Sequence, residues 1–155
     1  MPFTHIMVAS HDTPGARAAE RLALSVLTPG GHLRQLYVVP DLWKGMLGDD
    51  WLNNAATQDR FGRYLEQELE GESRRARERL EAEARQMGLE YSFVRVLGKP
   101  AEALLAQAQE QTPDLVVIGS PRPKGIPGLR SRMDLKILLP ALRLPLLIAP
   151  YPSVA

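Results

Sequence analysis

The sequence predicts an α/β fold: a single open, five-stranded parallel sheet with helices on both faces. Three observations carry that reading. Five short apolar runs are bounded by Gly, Pro or Asp, as strands buried on both sides require. Stretches with apolar residues at threes and fours fill the gaps between them. The resulting order, β-α-β-α-β-α-β-α-β, joins parallel neighbours through right-handed crossovers.

The first strand is read at His5–Ala9. Thr13-Pro14 then caps a helix, because Pro suits the first turn and Ala16, Ala19, Leu22, Ala23 and Val26 follow at helical spacing. Gly30-Gly31 is expected to end that helix, and Leu33–Val39 to form the second strand. The long helix, Arg60–Gln86, carries an apolar stripe of Phe61, Leu65, Leu69, Ala76, Leu80, Ala84 and Met87, with Gly88 as its C-cap. Tyr91–Leu97 is the third strand and Pro100–Gln109 a helix with Ala101, Leu104, Leu105 and Ala108 inward. Leu115–Ile118 is the fourth strand. Met133–Leu142 is the last helix, interrupted late by Pro140, and Leu144–Ala149 is the fifth strand.

Composition narrows the class of function. The 155 residues make one domain, 1–155, with no internal repeat or low-complexity tract. At 45% apolar and 24% charged the chain is that of an ordinary globular protein. A net charge of +1 gives no global pull toward nucleic acid or an anionic membrane. The Arg run at 74, 75, 77 and 79 is interleaved with Glu70, Glu72, Glu78, Glu81 and Glu83, which reads as a solvated helix face. Cysteine is absent, so disulfides and thiolate chemistry are excluded, and no metal site is expected. The N-terminus has no signal-peptide pattern, and the apolar stretch Ile137–Pro150 is broken by Pro140, Arg143 and Pro145. A cytoplasmic protein follows as the expectation.

In an open parallel sheet the ligand crevice lies at the carboxyl ends of the strands, where the strand order reverses. That rule nominates the turn after Ala9 and the turn after Ile118. The second turn holds Gly119, Gly125 and Gly128, with Arg122, Lys124, Arg130 and Arg132 supplying four cations and no anion. A Gly-containing turn entering a helix suits a phosphate or carboxylate; a solvated basic loop is the plainer alternative. After the first strand, Ser10-His11-Asp12 is not a catalytic triad, since neighbours in sequence do not converge on one reacting atom. Asp12 or Thr13 is an N-cap, and His11 a polar group lining the crevice. His5 and His32 read as structural or solvent-facing. The twenty-residue stretch Pro40–Asp59, with Trp43 and Trp51, reads as a lid, a binding surface or a cover for the sheet.

The chain resembles the universal stress protein family over essentially its whole length. The resemblance rests on HIMVASHDTPGARAAERLAL, on VLGKPAEALLAQAQEQTPDLVVIGSPRPKG and on LPLLIAP. It implies a Rossmann-like, adenine-nucleotide alpha hydrolase-like domain that is cytoplasmic and forms homodimers through its last strand, here Leu144–Ala149. Many members bind ATP or a related adenine nucleotide. Their motif is Gly, two residues, Gly, nine residues, then Gly-Ser or Gly-Thr, with an Asp after the first strand. The implied binding residues here are Ala9, Ser10, His11, Val38, Gly119, Ser120, Arg122, Arg132 and Met133. Only Gly119 keeps the motif: Arg122 and Arg132 stand at its Gly positions, Met133 at the hydroxyl position and His11 at the Asp position. Two long side chains fill space that bare main chain would leave for a triphosphate, and a thioether donates no hydrogen bond. Arg is nonetheless suited to phosphate or carboxylate.

The expectation is a non-enzymatic, homodimeric stress-response protein that works by binding, through an altered nucleotide crevice. No cofactor is required, and ATP or another adenine nucleotide is a candidate ligand. Two rivals stand beside it: an ATP- or AMP-binding protein using the basic loop, and a weak nucleotide hydrolase.

Overall fold

The computed structural model describes residues 3–10, 14–39, 55–120 and 133–152, with main chain alone at 55–69. Its strands are β1 (Phe3–Ala9), β2 (Leu27–Val39), β3 (Glu90–Leu97), β4 (Leu115–Gly119) and β5 (Leu146–Ala149). Its helices are α1 (Pro14–Val26), α2 (Ala55–Gln86), α3 (Pro100–Gln111) and α4 (Leu135–Ala141). The five strands form one parallel sheet in the order β3-β2-β1-β4-β5. The chain winds outward from β1 to β3 and then returns to β4 on the other side of β1. The order therefore reverses between β1 and β4, and their carboxyl ends are the switch point.

Both faces of the sheet are covered. Ile6, Val8, Leu33, Leu115 and Val117 pack under Ala19, Ala23 and Leu24 of α1 and Leu80 and Ala84 of α2. Met7, Ala9, Leu36, Val38, Val116 and Ile118 pack under Ala101, Leu104 and Ala108 of α3 and Leu138 of α4. Successive residues of β1 thus serve opposite faces, as strand geometry dictates. That is why the strand sequences read as unbroken apolar runs. The expected solvated face of α2 carries i,i+4 pairs, among them Arg74 with Glu70 at 3.8 Å and Arg85 with Glu81 at 2.9 Å.

Some boundaries differ from the sequence-based expectation, each for a local reason. Gly30-Gly31 does not end α1, which stops at Val26; the pair lies inside β2. Phe3 pairs with Leu27 but His5 with His32, so β2 bulges here by three residues against β1. Gly30 sits at φ 77°, and a Cβ on Gly31 would lie 3.0 Å from the Thr4 carbonyl oxygen, so both bulge positions require glycine. Met87 is past the end of α2 and exposed, while Gly88 does cap it, the Leu89 amide donating to the Ala84 carbonyl. α4 starts at Leu135, because the Asp134 carboxylate accepts from the Lys136 amide and caps it. β5 starts at Leu146, since Pro145 has no amide to donate, though its carbonyl accepts from Val116.

The bulge brings two imidazoles together at the amino end of the sheet. His32 is therefore a strand residue, and its ring stacks on that of His5 with centroids 4.8 Å apart. Burial holds both pKa values below 6.5; the His32 and Arg34 charges push His5 the same way, with Asp114 opposing. Arg34 likewise lowers His32 and Glu90 opposes it. The unfolded chain then binds protons more readily than the fold, so this contribution is present above pH 6.5 and is lost as pH falls below it. Melting temperature should drop between pH 7 and about pH 5, and a His5→Gln/His32→Gln variant should flatten that slope. An equal slope in the variant would place the acid sensitivity elsewhere.

Candidate functional site

The site is built where β1 and β4 end side by side. Ile6, Met7 and Val8 pair with Leu115, Val116 and Val117, which brings Ser10 and Gly119 to one end of the sheet. The first turn of α1 lies against that end. A Cβ added to Gly119 would stand 2.5 Å from the Gly15 carbonyl oxygen, so main chain touches main chain. The position of Gly15 opposite the Ser120 carbonyl and the Tyr151 ring is also close, at 3.6 and 3.5 Å from where its Cβ would be. The positive end of the α1 dipole is thereby presented at the switch point.

Of the nine residues nominated from the sequence, six are described here. Ala9 and Val38 are buried in the core beneath α3 and α4. Met133 packs against that same core just before α4, so its side chain serves the fold. Gly119 makes the close approach to Gly15. The Ser120 amide donates to the Ala149 carbonyl at 2.9 Å and so belongs to the sheet ladder. Ser10 is fully buried, and its amide donates to the Leu36 carbonyl at 3.0 Å. His11, Arg122 and Arg132 lie outside the described residues, as do Asp12, Thr13, Lys124, Arg130, Trp43 and Trp51.

A half-buried ion pair lies beside Ser10 at the end of β1. The Ser10 hydroxyl donates to Oε1 of Glu20, a carboxylate only 1% exposed. Arg79 of α2 grips the same carboxylate with two bonds, Nη1 to Oε2 at 2.7 Å and Nη2 to Oε1 at 3.1 Å. Sequence reasoning missed both Glu20 and Arg79. The signal was present: Glu20 stands on the stripe made by Ala16, Ala19 and Ala23, where a charge needs a buried partner. Tyr151 was also missed, although it directly follows the last strand at the same end of the sheet.

Among the described residues no group of three or more His, Asp and Glu is placed to hold a metal ion. No described helix is long and apolar enough to cross a membrane. The cavity between α3 and α4, lined by Leu105, Ala108, Thr112, Leu142 and Leu144, is separate from the crevice.

Residues 2–132 match the Universal stress protein family. The chain belongs to that family. Solved structures agree in fold across its full length. The hypothetical protein MJ0577, whose biochemical function was assigned from its structure, has a TM-score of 0.78 at 15% identity, with 100% of each chain covered. A universal stress protein family protein from Arabidopsis thaliana, solved with AMP bound, has a TM-score of 0.66 at 13% identity, covering 97% of this chain and 93% of that one. A universal stress protein in complex with cAMP has a TM-score of 0.56 at 14% identity, covering 98% and 100%. No curated protein matches the sequence.

The Gly119–Gly15 approach yields a direct check. Gly119→Ala forces main chain apart and should destabilise by about 1–3 kcal/mol, lowering Tm by roughly 3–10 °C. An unchanged melting temperature would show that α1 does not press on β4 as described.

Proposed function

We propose that this universal stress protein works by binding, without turnover, and that its crevice takes an adenine nucleoside monophosphate in preference to ATP. The observation that carries the proposal is the juxtaposition at the switch point: the Gly15–Gly119 approach, the positive end of α1, and the start of the basic turn 119–132 on one sheet end. The Arabidopsis relative with AMP and the relative with cAMP support the ligand class.

Preference for a short phosphate chain follows from chemistry. The Ser120 amide is taken by Ala149 and the Ser10 hydroxyl by Glu20, so phosphate contacts fall to the turn beyond Ser120. There Arg122 and Arg132 replace glycine. A guanidinium suits one phosphate, which it can hold with two parallel bonds, and a long side chain at a position the family gives to glycine leaves less room for further phosphates. Absence of turnover is supported by the same burial: the Ser10 hydroxyl is fully buried and its proton is directed to a carboxylate already paired with Arg79.

The functional unit we propose is a cytoplasmic homodimer joined along Leu144–Ala149. β5 is an edge strand, and Ile148 on it is 38% exposed.

Isothermal titration should give binding of AMP, with ATP and Mg²⁺ weaker by roughly tenfold or more, and Arg122→Ala should weaken AMP by a similar factor. No phosphate should be released from ATP above the buffer control. Tighter binding of ATP than of AMP, or no heat from either, would reject the ligand assignment. Light scattering should return a dimer at micromolar protein; a monomer would reject the edge-strand pairing.

A further inference from the structure

We propose that the cavity between α3 and α4 is a second ligand site, and that it takes a small carboxylic acid with an unbranched apolar tail. It lies at the opposite end of the sheet from the crevice, since α3 and α4 both run to the end where β4 and β5 begin. The proposal therefore stands apart from nucleotide binding.

The cavity follows from how the two helices end. α3 stops at Gln111, and α4 at Ala141, one residue after Pro140. Residues 142–145 then join α4 to β5 without regular structure, because Pro145 has no amide to give to a strand. Beside α3 this leaves a hollow of about 410 Å³. That is within the range of small-molecule sites and equals the space of roughly a dozen water molecules. Its wall includes Leu105, Ala108, Leu142 and Leu144, and the three leucines are only partly covered by the core they pack on. An alkyl tail of about eight carbons fits that volume and removes the leucines from water.

The polar groups of the lining select the head of the ligand. Arg143 is the one charged residue among those that line the cavity, and it has no ion pair among the described residues. A guanidinium suits a carboxylate, which it can meet with two parallel bonds. α3 ends at the same cavity, and the negative end of a helix opposes an anion. A bound carboxylate thus depends on Arg143.

Thr112 is the second observation. It caps α3, its amide donating to the Ala108 carbonyl at 2.9 Å, with φ 46° and ψ 57°. Among the described residues it is the one non-glycine residue at positive φ. Glycine usually fills that position. Thr is β-branched, and the Pro113 that follows favours extended backbone before it, so Thr112 is strained on both counts. Glycine would close the helix with less strain. What Thr adds is a hydroxyl on the cavity wall, able to donate to a carboxylate held by Arg143. Strain kept at a residue that lines a cavity points to a binding role.

Sodium octanoate is the probe, added to the full chain without nucleotide. Backbone amide NMR shifts should move saturably at Ala108, Thr112, Leu142 and Leu144, with a Kd of about 1 mM or below, while Gly15 and Gly119 stay in place. Octan-1-ol, the same tail without the charge, should bind about fivefold more weakly or worse, and so should octanoate to Arg143→Gln. Arg143 is exposed, so its replacement leaves the fold intact. Thr112→Gly should hold or raise Tm and still weaken octanoate by a similar factor, which a merely structural Thr112 would not do. No saturable shift around the cavity, equal binding of the alcohol, or unchanged octanoate affinity in either variant overturns the proposal. Because no AMP is present, the result is independent of the nucleotide reading, and either can fail alone.

Discussion

The end of β4 meets the first turn of α1 with no side chain between them. The Gly15–Gly119 contact is what the rest of the site depends on, because it decides how near a helix N-terminus can come to the switch point of the sheet. A Cβ at Gly119 would fall well inside contact distance of a carbonyl oxygen, which cannot move without moving the helix. Everything at that end is arranged around the approach. Tyr151, just past β5, lies beside Gly15, and Ser120 leaves β4 with its amide in the ladder. The crevice is thus a product of two features together: the strand order that separates β2 from β4 across β1, and the glycine at 119 that lets α1 settle against the strand tip.

The two ends of the sheet carry opposite kinds of polar burial. At the carboxyl end the Glu20 carboxylate is buried beside Ser10 and bonded twice by the Arg79 guanidinium. At the amino end the stacked imidazoles of His5 and His32 resist charging, since they share a half-buried site with Arg34. Asp114 steadies that same end by accepting from the Thr4 hydroxyl and from the amides of Thr4 and His5; those bonds hold its own pKa below the usual range.

Much of this was legible in the chain itself. Apolar runs of four to seven residues can only be strands buried on both faces when amphipathic helices separate them, and the topology then fixes which turns meet. The starts of β5, set by a proline, and of α4, set by a capping aspartate, were less visible, because a single group decides each. Gly30-Gly31 misled for a physical reason: glycine after an amphipathic stretch serves a helix cap and a strand bulge equally well, and only the neighbour strand distinguishes the two. Glu20 was hidden for a different reason. Local pattern places it on a buried stripe, but the partner that makes its burial tolerable comes from α2, 59 positions along the chain. Long-range pairing of charges leaves no local signature.

The central claim is that ligand is received at the β1–β4 switch point, beside the Gly15–Gly119 contact. Backbone amide NMR shifts followed through a titration with AMP test it most directly. The account predicts that the amides of Ser10, Gly15, Gly119 and Ser120 move together and saturably, while those of His5 and His32 at the far end stay in place. Shifts confined to the α3–α4 cavity around Ala108 and Leu142, or spread evenly over the sheet, would contradict it.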